Sequence, residues 1–163
     1  MSRLLVDGTN LFAAGSTKVF LSTNNGEGWS ERNSGLNNVG VQTLALAGPY
    51  LLAGTNAGIY FSTNQGKSWS PKINSVKYSC TCIATLGSVI FASTNNGHGI
   101  ILSTDSGLNW SEVNNGMTAT AVTSLVVIDK TILASAVGSD GGIFRSTDSG
   151  SSWHAVDNGL PQY

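Results

Sequence analysis

"STDSGLNW", residues 103–110, returns as "STDSGSSW" at 146–153 and in looser form as "STNNGEGW" at 22–29 and "STNQGKSW" at 62–69. All four tryptophans of the chain close such an octet, at Trp29, Trp69, Trp110 and Trp153, spaced 40, 41 and 43 residues apart. Self-similarity at this period marks a repeat array before any single residue is weighed. The flanks repeat as well: "VQTLALAGPYLLAGTNAGIYFSTNQGKSW" in the second unit matches "VTSLVVIDKTILASAVGSDGGIFRSTDSGSSW" in the fourth. The units run about 1–40, 41–79, 80–121 and 122–163, within one domain spanning 1–163.

Each unit holds four short apolar segments divided by turn chemistry. In the second they are Val41 to Leu46, Tyr50 to Gly54, Gly58 to Ser62 and Ser68 to Lys72, separated by Gly48-Pro49, Thr55 to Ala57 and the octet. None has helical spacing, and all have strand length. Four strands per unit predict an all-β protein, a β-propeller of four-stranded antiparallel blades, because a lone blade cannot bury both faces until it stacks on a neighbour. A solenoid of equal period is the alternative, but solenoid repeats near forty residues are helical pairs.

The octet then falls between the third and fourth strands, as a hairpin turn. Asp105 and Asp148 can fold their carboxylates onto turn N–H groups, with Asn24 and Asn64 offering amide oxygens in the first two units. Gly26, Gly66, Gly107 and Gly150 supply positive φ, Ser22, Ser62, Ser103 and Ser146 add a hydroxyl at the turn's entry, and the tryptophan opens the outer strand and covers the hairpin. A catalytic reading of the octet would demand four equivalent active sites. The octet reads as a joint.

The motif S-x-[DN]-x-G-x-x-W at these four places resembles the Asp-box, or bacterial neuraminidase repeat, and covers the whole chain. Such boxes occur in sialidases, xyloglucanase-like glycoside hydrolases, sortilin-type receptors and photosystem II assembly factors of the Ycf48 type. "LLAGTNAGIYFSTNQGKSW" and "GGIFRSTDSGSSW" look most like the Ycf48-like and BNR-repeat proteins. The resemblance implies a structural turn on the face away from the binding site, and a secreted or periplasmic parent protein. It supports fold better than function.

Sialidase resemblance would imply three arginines clamping a carboxylate. Only Arg3, Arg32 and Arg145 exist, none in the expected context. A glycosidase needs two carboxylates about 5–9.5 Å apart. Of nine acids, Asp105 and Asp148 belong to octets, Glu27 to an octet turn, and Asp7 and Asp129 to first-to-second-strand turns. Glu31, Glu112 and Asp157 follow the tryptophans as outer-strand charges, which leaves Asp140 unpaired. The expectation is no catalytic residue and no enzyme, with a glycoside hydrolase fragment whose chemistry lies outside this chain as the alternative. One Asp in "SDGG" at 139–142 falls short of a calcium shell, and no cofactor or metal is expected.

Eight Lys and Arg against nine Asp and Glu exclude the basic footprint of a nucleic-acid or anionic-membrane binder. No apolar run reaches membrane-span length, and "MSRLLVDGTNLF" lacks a signal-peptide core. Cys80 and Cys82, as alternate strand residues about 6.6 Å apart, are expected as reduced, packed thiols.

A ligand would meet the face opposite the octets, formed by second-to-third-strand loops and inter-blade connections. There Asn95, Asn96, His98, Asp140 and Tyr78 offer amides, an imidazole, a carboxylate and a phenol to a glycan or a protein. His154, after Trp153, reads as an edge residue. The first unit opens on a first strand, Ser2 to Val6, and "NGLPQY" stands where a fifth blade would begin, so no strand remains as a clasp. If four blades do not close, the end blades expose apolar faces and two chains pair into an eight-bladed ring. Missing blades of a longer parent chain, or a closed four-bladed monomer, are the rivals.

Overall fold

A computed structural model describes residues 3–71, 79–95 and 97–160. Among these residues sixteen strands form four antiparallel four-stranded sheets, each with its strands side by side in chain order. The first sheet holds β1 (Arg3–Asp7), β2 (Asn10–Gly15), β3 (Lys18–Ser22) and β4 (Ser30–Glu31). The second holds β5 (Val41–Ala47), β6 (Tyr50–Thr55), β7 (Gly58–Ser62) and β8 (Ser70–Pro71). The third holds β9 (Cys80–Leu86), β10 (Val89–Thr94), β11 (Ile100–Ser103) and β12 (Ser111–Glu112), and the fourth β13 (Ala121–Ile128), β14 (Thr131–Val137), β15 (Gly142–Ser146) and β16 (His154–Ala155). This is the expected all-β repeat of propeller-like blades.

Adjacent strands in a blade are joined by tight turns that their residues select. The first turn of every blade begins with a left-handed residue, Gly8, Gly48, Gly87 or Asp129, which matches the twist of a two-residue hairpin. The outermost strands are two residues long, shorter than the Ser68 to Lys72 expected for β8. Pro71 sits there because an edge strand needs no N–H on its outer side.

Inner blades are buried on both faces. Every residue of β7 is buried, whereas β14 in the last blade alternates between buried and half-buried. Three apolar layers lie between successive blades. Phe12, Val19 and Leu36 meet Leu44, Leu51 and Trp69 in the first; Leu52, Ile59 and Phe61 meet Ile83, Ile90 and Ile101 in the second; Phe91 and Ile100 meet Val122, Ile132, Phe144 and Trp153 in the third. Each fully buried side chain of this size stabilises the fold by roughly 1.5–3 kcal/mol.

The tryptophans do more than cap their own hairpins. Each stands just before the outermost strand rather than in it, and Trp69 and Trp153 insert into the layer shared with the preceding blade. The indole Nε1 of Trp153 donates to the Val113 carbonyl at 2.7 Å. Beneath each ring the connection makes a left-handed turn at glycine: a Cβ on Gly35 would lie 2.0 Å from the Trp69 carbonyl oxygen, and one on Gly116 2.2 Å from that of Trp153. Only glycine lets the two backbones approach this closely.

Among the described residues the stack has two uncovered ends. β5 packs on β2, β9 on β6 and β13 on β10, but no comparable packing joins β1 to β14. Leu4 is 76% exposed on the first blade, against 8% for its counterpart Leu44. Val126, Ile128 and Leu160 are exposed on the last.

Candidate binding site at the blade axis

The octets are engaged in their own turns. In the third blade the Asp105 carboxylate accepts the Leu108 and Asn109 N–H groups at 3.0 and 2.9 Å and the Ser103 hydroxyl at 2.8 Å, and the Ser103 oxygen accepts the Gly107 N–H at 2.8 Å. Asp148 repeats this with Ser152 and Ser146, and Asn24 and Asn64 place an amide oxygen on the N–H four residues on, at 2.9 Å in both blades. The backbone N–H of Asn109 above all holds the Asp105 carboxyl at about 2, and the hydroxyl of Ser152 does the same for Asp148. Two consecutive residues, not the glycine alone, take the left-handed conformation: Ser106 and Gly107, Ser149 and Gly150, Asn25 and Gly26, Gln65 and Gly66.

At the opposite rim of the blades the innermost strands converge. In β5, β9 and β13 the pairing slips by one residue at equivalent places, leaving Gln42, Thr81 and Thr123 without a partner across the strand. A bulge bends its strand and re-aims the unpaired side chain. All three line one cavity of about 350 Å³, together with Arg3 and Val41. The cavity takes residues from the innermost strand of every blade, which defines it as axial.

Hydrogen bonds run between the blades around this cavity. Arg3 donates through Nε to the Gln42 carbonyl at 3.1 Å, Gln42 donates through Nε2 to Ser79 Oγ at 2.8 Å, and Thr81 donates to the Val122 carbonyl at 3.1 Å. Thr123 meets Ser135 Oγ at 2.9 Å within its own blade. The Arg3 terminal nitrogens and Gln42 Oε1 have no partner among the described residues. Among the described residues Arg3 is the one charged side chain lining the cavity, and a guanidinium fork suits a carboxylate.

The residues singled out in the loops are distributed differently. Asn95 and His98 lie on the β10–β11 loop, and Asp140 on the β14–β15 loop of the next blade. Asn95 bonds the connection into its own blade, its N–H donating to the Ser79 carbonyl at 3.0 Å, while the Asp140 carbonyl accepts the Thr118 hydroxyl at 3.0 Å. His98 Nδ1 meets Glu112 Oε1 at 2.6 Å, so Glu112, an exposed outer-strand charge as expected, also has a partner. Glu31 is likewise paired, with Lys18 at 2.5 Å, and its carboxyl is lowered chiefly by that bond. Asn96 and Tyr78 lie outside the described residues. Of the three that are described, Asn95, His98 and Asp140, none lines the axial cavity.

A second cavity, about 400 Å³, opens on the outward face of the last blade between Ser135 to Val137, Gly141 to Ile143, Asp157 and Leu160. Cys80 and Cys82 are free thiols, as expected, and burial pushes both upward. No group of three or more metal-ligating side chains occurs among the described residues, and among them no helix is long and apolar enough to cross a membrane.

No protein-family model and no curated protein matches this chain. Solved structures do. The chain is similar to the GH74 xyloglucanase of Xanthomonas campestris, at 18% identity and TM-score 0.69 over 96% of this chain and 30% of that one. It is similar to Ycf48 of Cyanidioschyzon merolae, at 17% identity and TM-score 0.71 over 98% and 57%, and Ycf48 has also been solved bound to D1 peptide. The computationally designed Ika4 protein matches at 11% identity and TM-score 0.66 over 88% of both chains. The chain thus spans less than a third of the GH74 enzymes it resembles. At these identities the likeness is one of fold.

Proposed function

We propose that this chain is a non-enzymatic array of Asp-box blades, similar in role to the Ycf48-like proteins, which binds a carboxylate-bearing segment of another protein at its axis. One observation carries the reading: the repeated bulge turns Gln42, Thr81 and Thr123 onto the cavity that Arg3 enters. Hydroxyls, an amide and one guanidinium provide hydrogen-bond donors and a single positive charge, a set that grips oxygen-rich ligands without a general acid or nucleophile in place. The octet carboxylates are occupied with backbone N–H groups. That a Ycf48 structure holds D1 peptide favours a peptide, and a secreted or periplasmic setting fits the same resemblance.

The likeness to GH74 enzymes favours a second reading, in which the chain is part of a glycoside hydrolase and the axial groove meets a glycan. One experiment separates the two. An array of acidic peptides, the same peptides with Asp and Glu changed to Asn and Gln, and xyloglucan oligosaccharides is presented to the wild type and to the Arg3→Ala and Gln42→Ala variants. Binding restricted to acidic peptides and lost in both variants supports the scaffold. Oligosaccharide binding that depends on the same residues, or cleavage of the oligosaccharides, overturns it.

A further inference from the structure

We infer that the two uncovered ends of the blade stack are complementary, and that two copies of this chain join head to tail into one eight-bladed ring, Trp29 of each copy seating on the Val156–Leu160 connection of the other. The argument comes from the joints inside the chain and goes beyond the reading of the axial cavity.

Each joint with a described connection is built from the same parts. In the first, Trp69 donates its main-chain N–H to the Ser34 carbonyl at 2.8 Å and its indole N–H to the Arg32 carbonyl at 2.7 Å, with Gly35 beneath and Leu36 fully buried. In the third, Trp153 does the same to Asn115 and Val113, with Gly116 beneath. Residues 156–160 of the last blade repeat this seat: Val156 and Asn158 hold the carbonyl positions, Gly159 has the same left-handed φ of about 90°, and Leu160 is the counterpart of Leu36. Nothing lies within 4 Å of a Cβ built on Gly159, and Leu160 is 53% exposed where Leu36 is 0%. The seat is formed and empty, and the second cavity is its floor.

The first blade carries the missing piece. Trp29 is 43% exposed against 5% for Trp69 and 1% for Trp153, and its indole N–H has no partner among the described residues. The glycine of its octet is uncovered too: Gly66 packs on Arg32, Gly107 on Phe61 and Gly150 on Phe91, each in the preceding blade, while a Cβ on Gly26 meets only Trp29 and Leu11 of its own. Leu4 and Val6 flank Trp29's face as Leu44 and Leu46 flank that of Trp69. The head of one copy therefore offers what both described seats inside the chain receive. Such a head-to-tail interface is heterologous and must close or propagate. Propellers run from four to eight blades, so two copies of four can close where three cannot.

The test is solution mass by light scattering on the full chain and on two single-end variants, Trp29→Ala for the head and Leu160→Asp for the tail. Both residues are exposed, and an unchanged circular dichroism spectrum shows that each variant folds. The expected result is twice 16.9 kDa for the wild type at about 100 µM, 16.9 kDa for either variant alone, and recovery of the doubled mass when the two variants are mixed, since one intact joint remains between them. A single-chain mass for the wild type, which would leave these faces to further blades of a longer chain, overturns the inference. So does a mass above two chains, or a pair that survives in either variant alone, which would mark a different interface.

Discussion

The indole Nε1 of Trp69 donates to the main-chain carbonyl of Arg32 at 2.7 Å, across 37 residues of chain and from one blade to the one before it. Trp69, and Trp153 in the last blade, thus pin one sheet to the one before it, while the Trp110 indole N–H donates to the Gly107 carbonyl of its own octet at 3.2 Å. Each pinning ring fills the layer that neither sheet could close alone, and its N–H satisfies a carbonyl that the connection would otherwise bury unpaired.

Truncating these rings should rank by burial. In a Leu160→Asp background, so that no second copy contributes, Trp153→Ala and Trp69→Ala each lose ~3–5 kcal/mol of stability, and Trp29→Ala loses under ~1 kcal/mol. Urea unfolding followed by circular dichroism measures all three. Equal losses would mean that the rings act only on their own hairpins.

Gly35, Gly116 and Gly159 share one backbone conformation, with φ of 92°, 89° and 90°. Alanine at any of them meets the same left-handed penalty of ~1–2 kcal/mol. At Gly35 and Gly116 it also drives a Cβ into the carbonyl of a tryptophan in the next blade. The expected outcome is that Gly159→Ala loses only this ~1–2 kcal/mol while the other two lose at least ~2 kcal/mol more. In solution Gly159→Ala should nonetheless lower the doubled mass, because the clash reappears when a second copy docks.

Acid should act on the octets of two blades of the four. The carboxyls of Asp105 and Asp148 lie at about 2 in the folded chain, below their ordinary value near 3.8, because turn N–H and hydroxyl groups donate to them. A folded-state value below the unfolded one contributes stability that is complete above the unfolded pKa and declines as pH falls through the folded one. Stability should thus decline between about pH 4 and pH 2. Asp105→Asn combined with Asp148→Asn flattens the decline in that window, since Asn24 and Asn64 already form the turn without a charge. Thermal midpoints taken across the window check this.

The two thiols should be silent in the native chain. Cys80 is buried and Cys82 is half-buried against Ser93, and burial raises both. A thiol reagent at pH 7 should label neither within minutes and both once urea unfolds the chain, because the thiolate is the reacting form. Fast native labelling of Cys80 would contradict the packing of β9 against the second blade.

How far the sequence reached follows from the range of the interactions concerned. The octet could be read because its bonds close within four residues: Ser146 to Gly150, Asp148 to Ser152. The three inner strands of the second blade followed closely from apolar segments and turn residues, the outermost strand proved shorter than expected, and the free cysteines followed from strand geometry. The left-handed residues before the octet glycines escaped notice, because asparagine, glutamine and serine announce that conformation far less clearly than glycine does. The partner of Glu112 was not legible because His98 lies 14 residues away across a strand.

The chain alone determined the number of blades, their four strands and the turn that joins the last two, since repetition and local hydrogen bonding are written in consecutive residues. Only the tertiary structure decided that Gln42, Thr81 and Thr123 meet Arg3 at one cavity, and that Trp29 is bare where Trp69 and Trp153 are covered. A bulge depends on the register of a neighbouring strand, and burial depends on the blade next door. Both are properties of contacts between residues far apart in the chain, and a repeated motif reads the same whether its neighbour is present or not.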